Sequence, residues 1–112
     1  HVDAARLLLD KGAEVDRAAE GGWTPLCVAC QEGHVDAARL LLDNGAEVDR
    51  ANKWGATPLV IACHQGHVDA ARLLLDKGAD VNKADEDGET PLSIAKQQGH
   101  SAVIALLEEH RK

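Results

Sequence analysis

Two cysteines three residues apart, Cys27 and Cys30, are the first residues of this sequence that could perform chemistry. A C-x-x-C pair serves redox reactions or metal binding when its thiols have a lowered pKa or when a second ligand pair is present. Cys63 is the third cysteine, and the sequence has no second C-x-x-C. Because free cysteine is among the most buried residue types, we interpret the thiols as core residues. We expect no metal and no cofactor, and a redox or metal role is the alternative.

Four histidines recur at a constant interval of 33 residues and could suggest a row of metal ligands: His1, His34, His67 and His100. Packed helices lie about 8–10 Å apart, whereas two histidines that share a zinc ion each lie about 2 Å from it. If each histidine lies on a different one of several stacked helices, successive histidines are too far apart to share one ion. We interpret the row as structural.

Acidic and basic residues pair at a spacing of three in Asp3/Arg6, Asp36/Arg39 and Asp69/Arg72. Such pairs usually form a solvated helix face and contribute a few tenths of a kcal/mol each. The sequence contains no Ser/His/Asp constellation, no phosphate-binding glycine loop and no paired-carboxylate cleft. We therefore expect no enzymatic activity.

The composition indicates a folded chain with an unusual core. Of its 112 residues 45% are hydrophobic, yet it has no Phe, Tyr or Met and only two Trp. The net charge of −7 works against binding to nucleic acid or to an anionic membrane. No apolar run approaches the roughly 18 residues of a membrane span, and no signal peptide is visible. The odd number of cysteines favours a reducing, intracellular and cytoplasmic setting.

The ten residues HVDAARLLLD occur without change at positions 1, 34 and 67. Thr24, Thr57 and Thr90, each followed by Pro-Leu, share the same step of 33 residues. Self-similarity at a period of 20–50 residues is typical of a stacked repeat protein. The sequence therefore predicts a solenoid.

Two short helices are predicted within each period. Thr24 caps the first helix and Pro25 suits its first position, so LCVACQE forms a helix that ends at Gly33. The second helix begins near Val35 and stops at Gly45. Helical spacing predicts its buried face as Val35, Ala38, Leu41 and Leu42. The stretch AEVDRANKWGA that follows is predicted to form an extended loop or hairpin.

Each helix has only about eight to ten residues, fewer than the roughly 12–15 at which isolated helices become marginally stable. One repeat must therefore bury its apolar face against its neighbours. Stacked identical layers require identical contact residues, which explains why HVDAARLLLD does not vary. Three identical blocks fit recent duplication and deliberate design equally well.

The stretch GWTPLCVACQEGHVDAARLLLDNGAEVDRA resembles an ankyrin repeat, whose pattern is G-x-T-P-L, A-x-x-x-G-H, a Leu-rich helix and G-A-[DE]-V-[DN]. The resemblance covers a half repeat at 1–18, repeats at 19–51 and 52–84, and a C-terminal capping repeat at 85–112. It implies an all-α solenoid of helix-turn-helix units joined by hairpin loops. The sequence departs from the pattern after T-P-L, where the family often has His and this chain has Cys27, Val60 and Ser93.

The resemblance implies a protein-binding module whose concave face is formed by hairpin tips and first helices. The residues expected to bind a protein partner are those that vary between repeats, with their neighbours: Glu20, Trp23, Gln31, Glu32, Arg50, Lys53, Trp54, Ala56, His64, Gln65, Glu86, Asp87, Glu89 and Gln97. Both tryptophans fall in this set. The alternative is that each tryptophan packs on its own hairpin.

Two further expectations concern the outer loops and the N-terminal edge. In repeats similar to this one, an asparaginyl hydroxylase modifies the Asn that closes G-A-D-V-N, and only Asn82 matches, with Asp16 and Asp49 at the equivalent places. The chain enters directly at a second helix, so we expect part of the apolar face formed by Val2, Ala5, Leu8 and Leu9 to be exposed. Residues 1–10 then fray or associate weakly with another copy, and a self-assembling scaffold is the alternative function.

Overall fold

The computed structural model describes residues 15–110, and all regular secondary structure in that range is helical. Three helix pairs follow one another: α1 (Pro25–Glu32) and α2 (Val35–Asp43), α3 (Pro58–Gln65) and α4 (Val68–Asp76), α5 (Pro91–Gln98) and α6 (Ser101–His110). We call these pairs layers 1, 2 and 3. A short 3-10 turn at Glu20–Gly22 precedes layer 1. The layers repeat with the step of the sequence, which confirms the all-α solenoid.

The first helix of each layer begins at the Thr-Pro pair, as predicted. The Thr24 hydroxyl oxygen accepts a hydrogen bond from the Cys27 backbone N–H at 3.2 Å, and Thr57 and Thr90 cap α3 and α5 in the same way. The proline that follows occupies a helix position where no N–H is needed. Gly33 ends α1 in the left-handed conformation with φ 72°. Local capping therefore fixes both ends of each first helix.

The second helix of layer 1 ends earlier than the sequence predicted. Helix α2 stops at Asp43 with Asn44 as its cap, two residues before Gly45. Gly45 has φ 96° and donates its N–H to the Leu42 carbonyl at 3.1 Å, while Ala46 donates to the Leu41 carbonyl at 3.0 Å. This is the Schellman arrangement, in which a left-handed residue lies beyond the cap. Gly45 thus closes the turn that follows the helix.

The layers stack first helix on first helix and second helix on second helix, so α4 packs between α2 and α6. In α2, Ala38 and Leu41 are buried as predicted, but Val35 and Leu42 are only half-buried. The buried face of α2 is centred on a different side of the helix from the predicted one. Val35 and Leu42 lie at one border of the apolar stripe, whereas Ala37 lies within it and is buried. The core between layers consists almost entirely of Leu, Val, Ile, Ala and Cys.

Some expectations fall on residues outside the described range of 15–110. These are the ion pair Asp3/Arg6, His1, the apolar residues of the N-terminal edge, most of the half repeat at 1–18, and the last two residues of the capping repeat, Arg111 and Lys112. Within the range, no helix is both long enough and apolar enough to cross a membrane.

Candidate functional site

The loops before the first helices end in tight tips that are joined to one another. We define the tip row as residues Glu20 and Gly21, Lys53 and Trp54, and Glu86 and Asp87. Lys53 donates its backbone N–H to the Gly21 carbonyl at 2.9 Å, and Glu86 donates its own to the Trp54 carbonyl at 3.0 Å. Each tip is therefore tied to the next by a backbone hydrogen bond between layers.

A buried amide shapes the middle tip. The Asn52 side-chain oxygen accepts backbone N–H groups from Trp54 at 3.0 Å and from Ala56 at 3.1 Å, and Asn52 is only 7% exposed. Asp85 does the same in layer 3, where it accepts from Asp87 and Glu89. These two residues organise the surface, and sequence reasoning missed them. The signal was an Asn or Asp that begins a turn containing Gly, which is an Asx-turn pattern.

The two tryptophans lie close to one glycine but differ in exposure. A methyl group on Gly21 would lie 3.3 Å from Trp23 Cδ1 and 3.6 Å from Trp54 Cη2 and Cζ3. Trp23 is half-buried and packs against the core, whereas Trp54 is 46% exposed. Trp23 thus lies against its own hairpin, as the alternative interpretation held. Trp54 instead lies across the preceding hairpin with one side open to solvent.

The exposed indole of Trp54 already interacts with a cation. The Lys53 Nζ atom lies 4.7 Å from the ring centroid, within the roughly 6 Å at which a cation–π attraction operates. Lys53 is also the only cationic residue of the tip row, which carries carboxylates at Glu20, Glu86 and Asp87. All four charged side chains are exposed.

In layer 3, the carboxylate of Glu89 lies in a network of side-chain hydrogen bonds at the start of α5. The Gln97 side-chain amide nitrogen lies 2.7 and 2.9 Å from the two carboxylate oxygens of Glu89. The Ser93 hydroxyl donates to the same carboxylate at 3.0 Å. Ser93 also completes a capping box with Thr90, a role that sequence reasoning did not assign to it. Glu89 is therefore held in one orientation by side chains of its own layer.

Five of the other residues expected on this surface lie at the C-terminal ends of the first helices, whereas Arg50 and Ala56 lie in loops. Gln31 and Gln65 are half-buried, while Glu32, His64 and Gln97 are exposed. We call the stretches directly after the second helices, residues 44–51 and 77–84, the outer loops. Arg50 is exposed in the first of them, where its guanidinium lies 4.0 Å from the Glu47 carboxylate. Ala56 is half-buried at the base of the middle tip.

The cysteines lie in the core and not at a reactive site. Cys27, Cys30 and Cys63 are free thiols that are buried completely. Burial raises the pKa of Cys63 to about 12 and also raises the pKa values of Cys27 and Cys30. A thiol with a raised pKa is a poor nucleophile because the thiolate is the reactive form. Their interpretation as core residues is confirmed, and the Cys27 thiol lies 3.7 Å from the Arg50 carbonyl oxygen.

The histidines of layers 2 and 3 join one layer to the next. His67 Nε2 lies 3.2 Å from the Gln31 carbonyl oxygen, and His100 Nε2 lies 2.9 Å from the His64 carbonyl oxygen. Within residues 15–110, no group of three or more His, Cys, Asp or Glu side chains could hold a metal ion. The structural interpretation is confirmed for these two histidines, with the addition that each bond crosses between layers.

The ion pairs of the second helices lie in solvent. Arg39 and Asp36 approach to 3.6 Å, and Arg72 and Asp69 approach to 3.3 Å, with more than half of each side chain exposed. Exposed pairs of this kind contribute little to stability. They form the solvated face that the sequence predicted.

Asn82 occupies a position at which the other layers have a capping carboxylate. Asp16 accepts the Glu47 backbone N–H, and Asp49 accepts the Asp80 backbone N–H, so each carboxylate binds the outer loop of the next layer. Asn82 is exposed, and its own N–H is donated to the Asp80 side chain at 2.9 Å. Its side chain therefore faces solvent at the surface of an outer loop.

Comparison with known protein families identifies the family of the chain. A family model described as ankyrin repeats (3 copies) matches residues 1–52 and 48–112. No curated protein matches the sequence significantly. Ankyrin repeats are generally protein-interaction modules, and the family is typically non-enzymatic. With the stacked helix pairs and the Thr-Pro helix starts, this match shows that the chain belongs to the ankyrin repeat family.

Proposed function

We propose that this domain is a non-enzymatic binding module that receives a protein partner on its hairpin face. The hairpin face consists of the tip row, the ends of the first helices and the half-buried residues between them. The observation that carries the proposal is the exposed Trp54 at the centre of the tip row. Tryptophan is the residue type most enriched in interface hot spots, where its truncation typically costs about 2 kcal/mol or more.

Residues that are constant between layers and residues that vary have different roles, and this difference supports the choice of the hairpin face. The repeated residues of α2 and α4 are used for packing between layers. The tips and the ends of the first helices differ between layers, so their side chains can distinguish one partner from another. Backbone hydrogen bonds hold the tips in place before any partner arrives, which lowers the conformational entropy lost on binding.

Charge on the hairpin face supports a partner with basic groups. Glu86 and Asp87 of the tip row, with Glu89 two residues further on, place three carboxylates in the loop before α5. The Glu86 backbone N–H is bonded to the Trp54 carbonyl. Complementary charge mainly accelerates association, and its effect weakens as salt screens it. We therefore expect the association rate to fall with ionic strength.

The proposal is tested by affinity capture with the wild-type domain and with Trp54→Ala. Trp54→Ala is preferred to a double variant with Trp23→Ala, because Trp23 packs against the core and its loss would confound binding with stability. Arg39→Ala, on the exposed face of α2, is the matched control. We expect Trp54→Ala to lose the captured partner and Arg39→Ala to retain it. Equal capture by both variants would refute the assignment of the hairpin face.

We also propose that Asn82 is a modification site for an asparaginyl hydroxylase. Its exposed side chain on an outer loop supports this proposal. Mass spectrometry after incubation with such an enzyme should find one added oxygen on Asn82 and none on Asn44 or Asn52. An unmodified Asn82 would dismiss the proposal.

A further inference from the structure

The face of the Trp54 indole is a cation-binding surface that the protein itself occupies. Lys53 Nζ lies 4.7 Å from the ring centroid. Trp54 is 46% exposed, so its neighbour covers only part of the residue. An ammonium on a long flexible side chain is held there weakly, since exposed cation–π contacts contribute little.

The backbone beneath this ring is fixed more firmly than the lysine above it. The Trp54 N–H is donated to the buried Asn52 side chain, and the Trp54 carbonyl accepts the Glu86 N–H. The benzo edge of the indole lies against Gly21 of the preceding tip. The aromatic platform is therefore preorganised, whereas Lys53 can move away from it without breaking any of these bonds.

The net negative charge of the tip row favours a second cation over an anion. Glu20 lies in the tip before Trp54, and Glu86 and Asp87 lie in the tip after it. The tip row thus has three carboxylates and a single ammonium. When a partner's cation displaces Lys53, the three carboxylates of the tip row still outnumber the two positive groups.

We propose that the Trp54 ring binds an arginine side chain from a basic segment of the partner, and that Lys53 holds this place in the free protein. The inference rests on the proposed function and specifies the chemistry of its partner. A guanidinium fits the ring better than an ammonium, because it is planar, stacks on aromatic faces and is more weakly hydrated. Lys53 is then a competitor of the ligand and not a contact to it.

Competition between Lys53 and the partner's arginine predicts that removing the lysine charge strengthens binding. Lys53→Met keeps the aliphatic chain and removes the ammonium, so it should tighten binding of an arginine peptide by about two- to five-fold. Lys83→Met is the matched control, because Lys83 is an exposed lysine that is not part of the tip row. The control removes the same charge and should change affinity by less.

The experiment titrates blocked pentapeptides with two arginines into the protein and follows tryptophan fluorescence. Matched peptides replace arginine by lysine or by the neutral isostere citrulline. We expect the order arginine, lysine, citrulline, a gain in affinity for Lys53→Met and a loss of binding for Trp54→Leu. Thermal unfolding checks that each variant is folded, and the Lys53→Met result decides the matter even if Trp54→Leu fails this check.

Several results would overturn the inference without touching the proposed function. Weaker or unchanged binding by Lys53→Met would show that Lys53 contacts an acidic ligand or plays no part. Equal binding of the citrulline peptide would show that charge is not recognised. If Trp54→Ala abolishes capture of the partner while arginine peptides do not bind, then the hairpin face remains the binding surface and the arginine assignment is wrong. If arginine peptides bind as expected while capture is unchanged by Trp54→Ala, the proposed function fails.

Discussion

Helices α2 and α4 have the same nine residues, whereas the tips of the three layers read Glu-Gly-Gly, Lys-Trp-Gly and Glu-Asp-Gly. The helices face neighbouring layers of the same chain, so a change in one copy would require a change in the next. The tips touch one another mainly through backbone atoms, so their side chains are free to differ. The repeated sequence of the helices is thus a consequence of packing. The varying sequence of the tips marks the surface where packing constrains the residue type least.

The comparison also shows that identical residues need not have identical environments. Leu73 and Leu75 of α4 are each 6% exposed, while their equivalents in α2, Leu40 and Leu42, are half-buried. Helix α4 lies between two second helices. The same side chain therefore contributes differently to stability in different layers, because hydrophobic stabilisation scales with the apolar area removed from water.

The largest expected effect compares the same substitution in these two helices. Leu75→Ala should reduce the free energy of unfolding by about 2–5 kcal/mol, as is typical of a buried leucine. Leu42→Ala should cost about half as much, because less apolar area is lost. Denaturant unfolding measures both. Equal losses would show that burial within the stack does not set the contribution of a repeated residue.

A smaller effect is expected at the glycines that end the first helices. Gly66→Ala and Gly99→Ala both place a side chain at positive φ, which costs about 1–2 kcal/mol. At Gly66 the new methyl group would also lie 2.6 Å from the His100 ring, whereas at Gly99 it would meet nothing within 4 Å.

Displacing His100 from the His64 carbonyl should add about 1 kcal/mol to the cost at Gly66. In a His100→Ala background this difference should disappear. If it persists there, the histidine contact between layers is not its cause.

A further expected effect is a loss of stability at alkaline pH. Burial raises the pKa of Cys63 from the ordinary value of 9.0 to about 12. Its contribution is therefore complete below about pH 9, where the unfolded thiol is also protonated, and is lost as the pH rises toward 12. The free energy of unfolding of wild type should fall more steeply above pH 9 than that of Cys63→Ala. Parallel curves would contradict the raised pKa.

Much of the fold could be predicted because its signals are local and repeated. The Thr-Pro pairs and the period of 33 residues predict three stacked layers and the start of every first helix. The end of α2 was misplaced by two residues, because a glycine beyond a helix cap produces nearly the same sequence pattern as a glycine at the cap itself.

The surface was less predictable, because its geometry depends on contacts between layers. The varying letters pointed to Trp23 and Trp54 alike, yet only the stacking of Trp54 across Gly21 separates the exposed ring from the half-buried one. The bonds from His67 and His100 to the preceding layer join residues 36 positions apart. No local pattern specifies such a partner, although the constant spacing of the histidines indicated that they were structural.

The central claim is that the tips bind the protein partner, whereas the second helices only hold the layers together. Site-specific photo-crosslinking tests this claim most directly. A photoreactive residue is placed in turn at Glu20, Lys53 and Glu86 of the tips and at Asp36, Asp69 and Ala102 of the second helices. All six positions are exposed, so each variant should fold. The account predicts covalent adducts with the captured partner from the tip positions alone. Adducts from Asp36, Asp69 or Ala102, with none from the tips, would contradict it.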